Sequence, residues 1–184
     1  HFNRLKDSAS YFDFKFCDAH GKEMIDKTIR NISNNFCVIR LFVNAKGVIR
    51  IETSELPAFT INQKYTVSLA KNPVQSENIF LYHKTTQREV YDNAEGENLH
   101  SDDVILWNEE GNLTESTIAN IILNIEGSWV TPSTNCGLLR GVYRESMLEN
   151  GLIKERKIHK SEIADLSEIT LINSVRGEFK AKLI

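Results

Sequence analysis

The chain has 184 residues, 41% of them hydrophobic and 26% charged, with a formal net charge of −3. That length buries a substantial core in one domain or two small ones, and the balance is that of an ordinary globular protein. Mild acidity, with no Lys/Arg stripe among aromatics, argues against a nucleic-acid surface, and no apolar run reaches the about 18 residues of a membrane span.

From the N-terminus, Phe2, Leu5, Ala9, Phe12 and Phe16 recur at roughly helical spacing, which predicts an amphipathic helix over 1–16. A second helix is expected over 22–32, with Ile25, Ile29 and Ile32 on one face, ended by a turn at Asn34-Asn35. The runs 36–43 and 48–51 read as two strands joined by a hairpin turn at Asn44-Ala-Lys-Gly47, and 65–70 as another strand. Lys71–Ser76, polar and holding one of three prolines, is the best linker candidate.

Beyond it the reading is a strand over 79–84, a helix over 85–96, a strand over 103–108 and a turn at 109–112. A helix-start signal follows at Thr114–Asn120, then strands over 121–125 and 129–131. A loop punctuated by Pro132 and Gly137 leads to a helix over 141–150, a strand over 153–158, a short helix over 160–164 and a strand over 168–173. Strand and helix alternate irregularly, so the fold class is α+β with a largely antiparallel sheet. Cys17, Cys37 and Cys136 lie far apart with no CxxC pair, which suits reduced, buried thiols in the cytoplasm better than a disulfide frame or a metal site. The chain begins at His1 without a signal-peptide pattern, and further sequence upstream is expected.

Four segments bear chemistry. In Phe80-Leu-Tyr-His-Lys-Thr-Thr86 an apolar run ends on Lys84. Apolar neighbours strip hydration from an ammonium, lower its pKa and free the amine as a nucleophile, although most lysines are solvated surface charges. In Asn112–Asn120, Glu115 is either a helix-start residue or a carboxylate facing a ring nitrogen, with Asn120 as a partner for it or for nearby backbone. In Thr131–Arg144, Gly137 and Gly141 admit backbone shapes other residues resist, and Gly141 opens a helix whose N-terminus receives a phosphate well; the alternative is a plain loop and cap, and the Gly-x-x-x-Gly spacing alone does not decide it. Asn173-Ser-Val-Arg-Gly177 offers an amide, a hydroxyl and the fork of Arg176 for a phosphate or a carboxylate, or is a solvated turn.

Together these segments resemble the fold-type IV pyridoxal-phosphate enzymes, which include branched-chain and D-amino-acid aminotransferases and 4-amino-4-deoxychorismate lyases. The resemblance rests on His83-Lys-Thr-Thr86 with Arg88 and Tyr91-Asp92, Leu106-Trp-Asn-Glu109 leading to Leu113–Asn120, Thr131-Pro132, Cys136–Gly141 and Asn173–Gly177, with residues 1–12 resembling the family's first helix. It spans the chain in order and is nearest the lyase domain fused behind aminodeoxychorismate synthase. It implies that Lys84 carries pyridoxal 5′-phosphate and that Glu115 faces the pyridine nitrogen. Arg4, the backbone at Leu139, Gly141 and Val142, and the Ser174 hydroxyl would form the phosphate cup. Arg176 is placed at a substrate carboxylate by its charge and position, and no metal is expected.

The resemblance further implies a small N-terminal α/β domain over 1–72, incomplete at its start, a linker at 73–78, and a larger barrel-like domain over 79–184 holding the cofactor. The expected activity is release of pyruvate and 4-aminobenzoate from 4-amino-4-deoxychorismate in folate synthesis, with transamination and a catalytically inactive relative as alternatives. A cytoplasmic homodimer, fused to or working with an aminodeoxychorismate synthase, is expected as well.

Overall fold

The computed structural model describes residues 1–33, 37–56, 65–98, 100–164, 166 and 168–184. Two compact units emerge, His1–Phe59 and Thr60–Ile184. The polar stretch 73–78 thus lies inside the second unit, where Val74 bridges to Asn108.

The first unit contains helix α1 (Phe2–Tyr11), helix α2 (Asp18–Arg30) and a hairpin of strands β1 (Cys37–Val43) and β2 (Ile49–Glu55). Helix α1 stops short of the expected Phe16, and Phe16 instead stacks on Phe2 with ring centroids 6.4 Å apart. Helix α2 starts four residues earlier than the pattern predicts, at Asp18, whose carboxylate accepts from Lys22 one turn on at 2.8 Å. At the hairpin, Asn44 Oδ1 accepts the N–H groups of Lys46 and Val48, both at 3.0 Å, which fixes the predicted turn. The turn expected at Asn34-Asn35, and Phe36 of the first predicted strand, lie outside the described residues.

The second unit is one mixed eight-stranded sheet in the order β5-β4-β3-β10-β9-β6-β7-β8. Its strands are β3 (Tyr65–Leu69), β4 (Asp103–Trp107), β5 (Leu113–Ser116), β6 (Asn120–Ile125), β7 (Ser128–Pro132), β8 (Lys154–Arg156), β9 (Ile169–Asn173) and β10 (Gly177–Leu183). Three of its pairings, β10–β3, β3–β4 and β7–β8, are parallel, so antiparallel pairing predominates less than expected. The first strand in that order, β5, meets the chain just beyond the last, β8. Leu113 N–H donates to the Ile158 carbonyl at 2.8 Å, and Asn112 bridges antiparallel to His159. The sheet therefore curls until its ends join, as a barrel does.

Alternation along the strands sorts side chains to two faces. Ile105, Ile121, Leu123 and Leu171 enter one core with Val67, Leu113 and Phe179. Their neighbours Val104 and Leu106 pack instead with Tyr91 and Ala94 of helix α3 (Glu89–Glu97). Ile122 and Ile172 meet Tyr143, Met147 and Leu148 of helix α4 (Val142–Glu149). The two helices thus cover different stretches of the same outer face.

Several expectations need correction. Residues 79–84 form no strand: Asn78 Oδ1 caps a short 3-10 turn at Ile79–Leu81 by accepting Phe80 N–H at 3.0 Å, and Leu81 is buried beneath it. The 114–120 helix is absent, since β5 and β6 occupy that stretch. Strand β10 was not expected at all. Cys136 is buried, but Cys17 is exposed and Cys37 half-buried. No helix among the described residues is long and apolar enough to cross a membrane.

Candidate active site

Glu115 is the organising residue. It sits on β5, where all four residues are buried, and is itself only 4% exposed. A carboxylate in such a place needs donors, and three supply them. Tyr91 Oη donates to Oε1 at 2.8 Å, Leu139 N–H donates to the same oxygen at 3.0 Å, and Asn120 Nδ2 donates to Oε2 at 3.0 Å. Burial pushes the Glu115 carboxyl up to about 7, against the Leu139 and Tyr91 hydrogen bonds and the positive charges of Lys84 and Arg144, which favour the anion. Glu115 in turn helps burial hold the Tyr91 phenol well above its usual range.

Asn120 does the work assigned to it by sequence and more, since its amide also donates to the Leu139 carbonyl at 2.8 Å. Leu139 is therefore tied at both backbone groups, and its N–H is committed to Glu115. Gly141 has an ordinary φ of −64°, so backbone freedom is not what the site asks of it. A Cβ there would come within 2.0 Å of Asn120 Oδ1, so it is the absence of a side chain that counts. Gly137 does take the left-handed conformation, with φ +95°, closing the short turn Thr134–Cys136 against Ser76.

Lys84 lies in the irregular stretch between the 3-10 turn and α3, not at a strand end, and is exposed. The desolvation argued from its apolar neighbours is not what the fold provides; proximity to a buried acid is, since its charge acts on Glu115. Val142 is the first residue of α4, whose N-cap Gly141 provides no side-chain cap, leaving the first N–H groups to other acceptors. Ser174 is exposed in the turn between β9 and β10. Tyr143 Oη donates to Glu178 at 3.0 Å, which brings the start of α4 beside that turn, and Asn173 Nδ2 reaches the Ile118 carbonyl, just past Glu115, at 3.3 Å. Two of the segments expected to hold phosphate are thus neighbours. Arg176 lies over the Phe179 ring, 5.6 Å from its centroid, and interacts with the Tyr65 phenol, which burial pushes up to about 12. Arg4 is half-buried on α1, in the first unit.

Sequence reasoning gave no role to Tyr91 or Arg144. Arg144 is wholly buried; it donates to the Pro132 carbonyl at 2.8 Å and pairs with Glu145 and Glu155, locking α4 to β7 and β8. The only advance signal for Tyr91 was its place in the motif after Lys84.

These residues fit a phosphorylated pyridine aldehyde. Glu115 Oε2 accepts from Asn120 Nδ2, and a carboxylate oxygen has the capacity to accept a further donor such as a ring N–H. The uncapped start of α4 beside a hydroxyl-bearing turn suits an anion. Among the described residues, no cluster of His, Cys, Asp or Glu could hold a metal ion.

The sequence model of the amino-transferase class IV family matches residues 1–184, and the chain belongs to that family of pyridoxal-phosphate-dependent enzymes. A Schizosaccharomyces pombe protein named "Putative aminodeoxychorismate lyase" is 30% identical, with all of this chain and 82% of that one covered. Among solved structures, one named "Putative amino-acid aminotransferase" from Mesorhizobium loti superposes with a TM-score of 0.91 at 28% identity, covering 100% of this chain and 90% of that one. One named "A hypothetical aminotransferase from Mycobacterium tuberculosis, alpha-ketoglutarate and PMP bound form" shares the fold, with a TM-score of 0.83 at 16% identity over 100% of this chain and 74% of that one.

Proposed function

We propose that the chain is a pyridoxal-phosphate lyase that converts 4-amino-4-deoxychorismate to 4-aminobenzoate and pyruvate. The observation that carries the reading is the Glu115 carboxylate, held by three donors in a buried position and facing the charge of Lys84. The likeness to the S. pombe protein named "Putative aminodeoxychorismate lyase" supports the choice of reaction.

Pyridoxal phosphate, when bound, supplies a positively charged ring that stores the electron pair left on a substrate carbon. Glu115 keeps the ring nitrogen protonated, and Asn120 and Leu139 keep Glu115 aimed. The start of α4, with Gly141 and Val142, and the Ser174 hydroxyl would bind the phosphate, and Arg176 would grip a substrate carboxylate. Lys84 would hold the cofactor, and as a free amine it would accept the proton from the ring carbon bearing the substrate's nitrogen. As an ammonium it returns that proton to the departing enolpyruvyl group. The ring becomes aromatic, and 4-aminobenzoate and pyruvate together hold every atom of the substrate, so no water is consumed.

A second reading is transamination, favoured by the likeness to the M. loti protein. It uses the same lysine and the same acid, and differs in returning the proton to the cofactor side. We further place the protein in the cytoplasm as a homodimer serving folate synthesis, alongside or fused to an aminodeoxychorismate synthase.

The test is to supply 4-amino-4-deoxychorismate to the cofactor-loaded protein and follow pyruvate and 4-aminobenzoate. Both should appear in equal amounts without a keto acid. Amino transfer that depends on a keto acid, with no pyruvate released, overturns the lyase reading. Lys84→Ala should cost about 10²–10⁴-fold in rate for the lost proton transfer, measured in the same assay.

A further inference from the structure

The steps above give no part to the side chains of Arg88 and Tyr91. Tyr91 is 7% exposed, and its hydroxyl donates to Glu115 Oε1 at 2.8 Å. The Arg88 guanidinium lies 4.7 Å from the centre of the Tyr91 ring and donates through Nη2 to the Thr117 carbonyl at 3.0 Å. The start of α3 thus reaches the chain around β5 twice, once at the acid itself and once two residues beyond it. The same short stretch bears Lys84, four residues ahead of Arg88.

We propose that Tyr91 is a positioning residue: its hydroxyl holds Glu115 as an oriented carboxylate and couples the placement of that acid to the segment carrying Lys84. The proposal rests on the roles of Glu115 and Lys84 given under the proposed function, and it adds what sets the acid's charge. The groups facing Glu115 are Tyr91 from α3, Lys84 from the segment before it, Asn120 from β6, the Leu139 N–H from the loop before α4, and the charge of Arg144 from α4. Burial works against the anion, so each donor matters. Asn120 also holds Leu139, so altering it would move the loop. Tyr91 is the side-chain donor that can be deleted with little change of shape, as Tyr91→Phe removes one oxygen.

The test follows the protonated-carboxyl stretch of Glu115 by difference infrared titration of the full chain without cofactor, with Glu115→Gln identifying the band. The wild-type midpoint is expected near 7. Tyr91→Phe should raise it by about one to two pH units, since a hydrogen bond to the charged form is lost. Placing 3-fluorotyrosine at 91, a stronger donor of nearly the same size, should lower it. That substitution also decides the matter should Tyr91→Phe fail to fold. Midpoints unchanged by the substitutions overturn the proposal, because a merely structural tyrosine would not move them. With pyridoxal phosphate added, the pH titration of the cofactor's visible absorbance should shift in the same variants. If the infrared midpoints move but no protein, wild type included, develops that absorbance, the positioning role stands and the cofactor reading fails.

Discussion

The Glu115 carboxyl carries the sharpest consequence for pH. Its folded-state value near 7 lies above the ordinary 4.5, so the folded chain holds that proton more tightly than the unfolded chain. The stabilisation is complete below about pH 4.5 and is lost as pH rises through about 7. In the cofactor-free protein this group should lower the unfolding free energy by roughly 3 kcal/mol across that interval, read from denaturant titrations at a series of pH values. Glu115→Gln should flatten that part of the profile. A second expectation concerns Gly141→Ala. Its new methyl would drive Asn120 from Glu115, and cofactor affinity measured by absorbance titration should weaken about 10-fold or more, as for a lost hydrogen bond to a charged group. Part of this level was legible in the sequence. The Asn120 link was expected from the residues alone and is observed, whereas the cofactor roles of Lys84 and Glu115 came from the family resemblance, and Tyr91 was given none. Its bond depends on where α3 lands against β5, and no local pattern encodes that.

Among the helices and strands, the failures have physical causes. Thr114, Ser116 and Thr117 are residues that cap helices, and the same residues suit a short buried strand; neighbouring β4 decides the matter by pairing. The apolar run at 79–81 reads as a strand until Asn78 caps it into a turn. Strand β10 could have been found, because Phe179 and Ala181 alternate inward between exposed Glu178, Lys180 and Lys182. Its charged face masked it. Helix α4, by contrast, was foreseen almost to the residue, but nothing indicated that Arg144 would be wholly buried. Arg144→Met removes the ties to Pro132, Glu145 and Glu155, and denaturant unfolding should show a loss of about 1–3 kcal/mol, since the Pro132 carbonyl loses its buried donor while the two carboxylates stay partly solvated.

At the level of the chain, the barrel expected from resemblance is built by joining β5 to the residues after β8, and Leu113 lies at that seam with no exposure. Leu113→Ala should cost about 2–5 kcal/mol in denaturant unfolding through the cavity it opens. The closure itself could not be read from periodicity, which gives faces and not partners. Both units belong to the matched family region, and the chemistry reduces to one bond. Loading the protein with pyridoxal phosphate, reducing it with borohydride and mapping the peptides by mass spectrometry should place a phosphopyridoxyl group on Lys84. Finding that group on another lysine, or on none, would contradict the account.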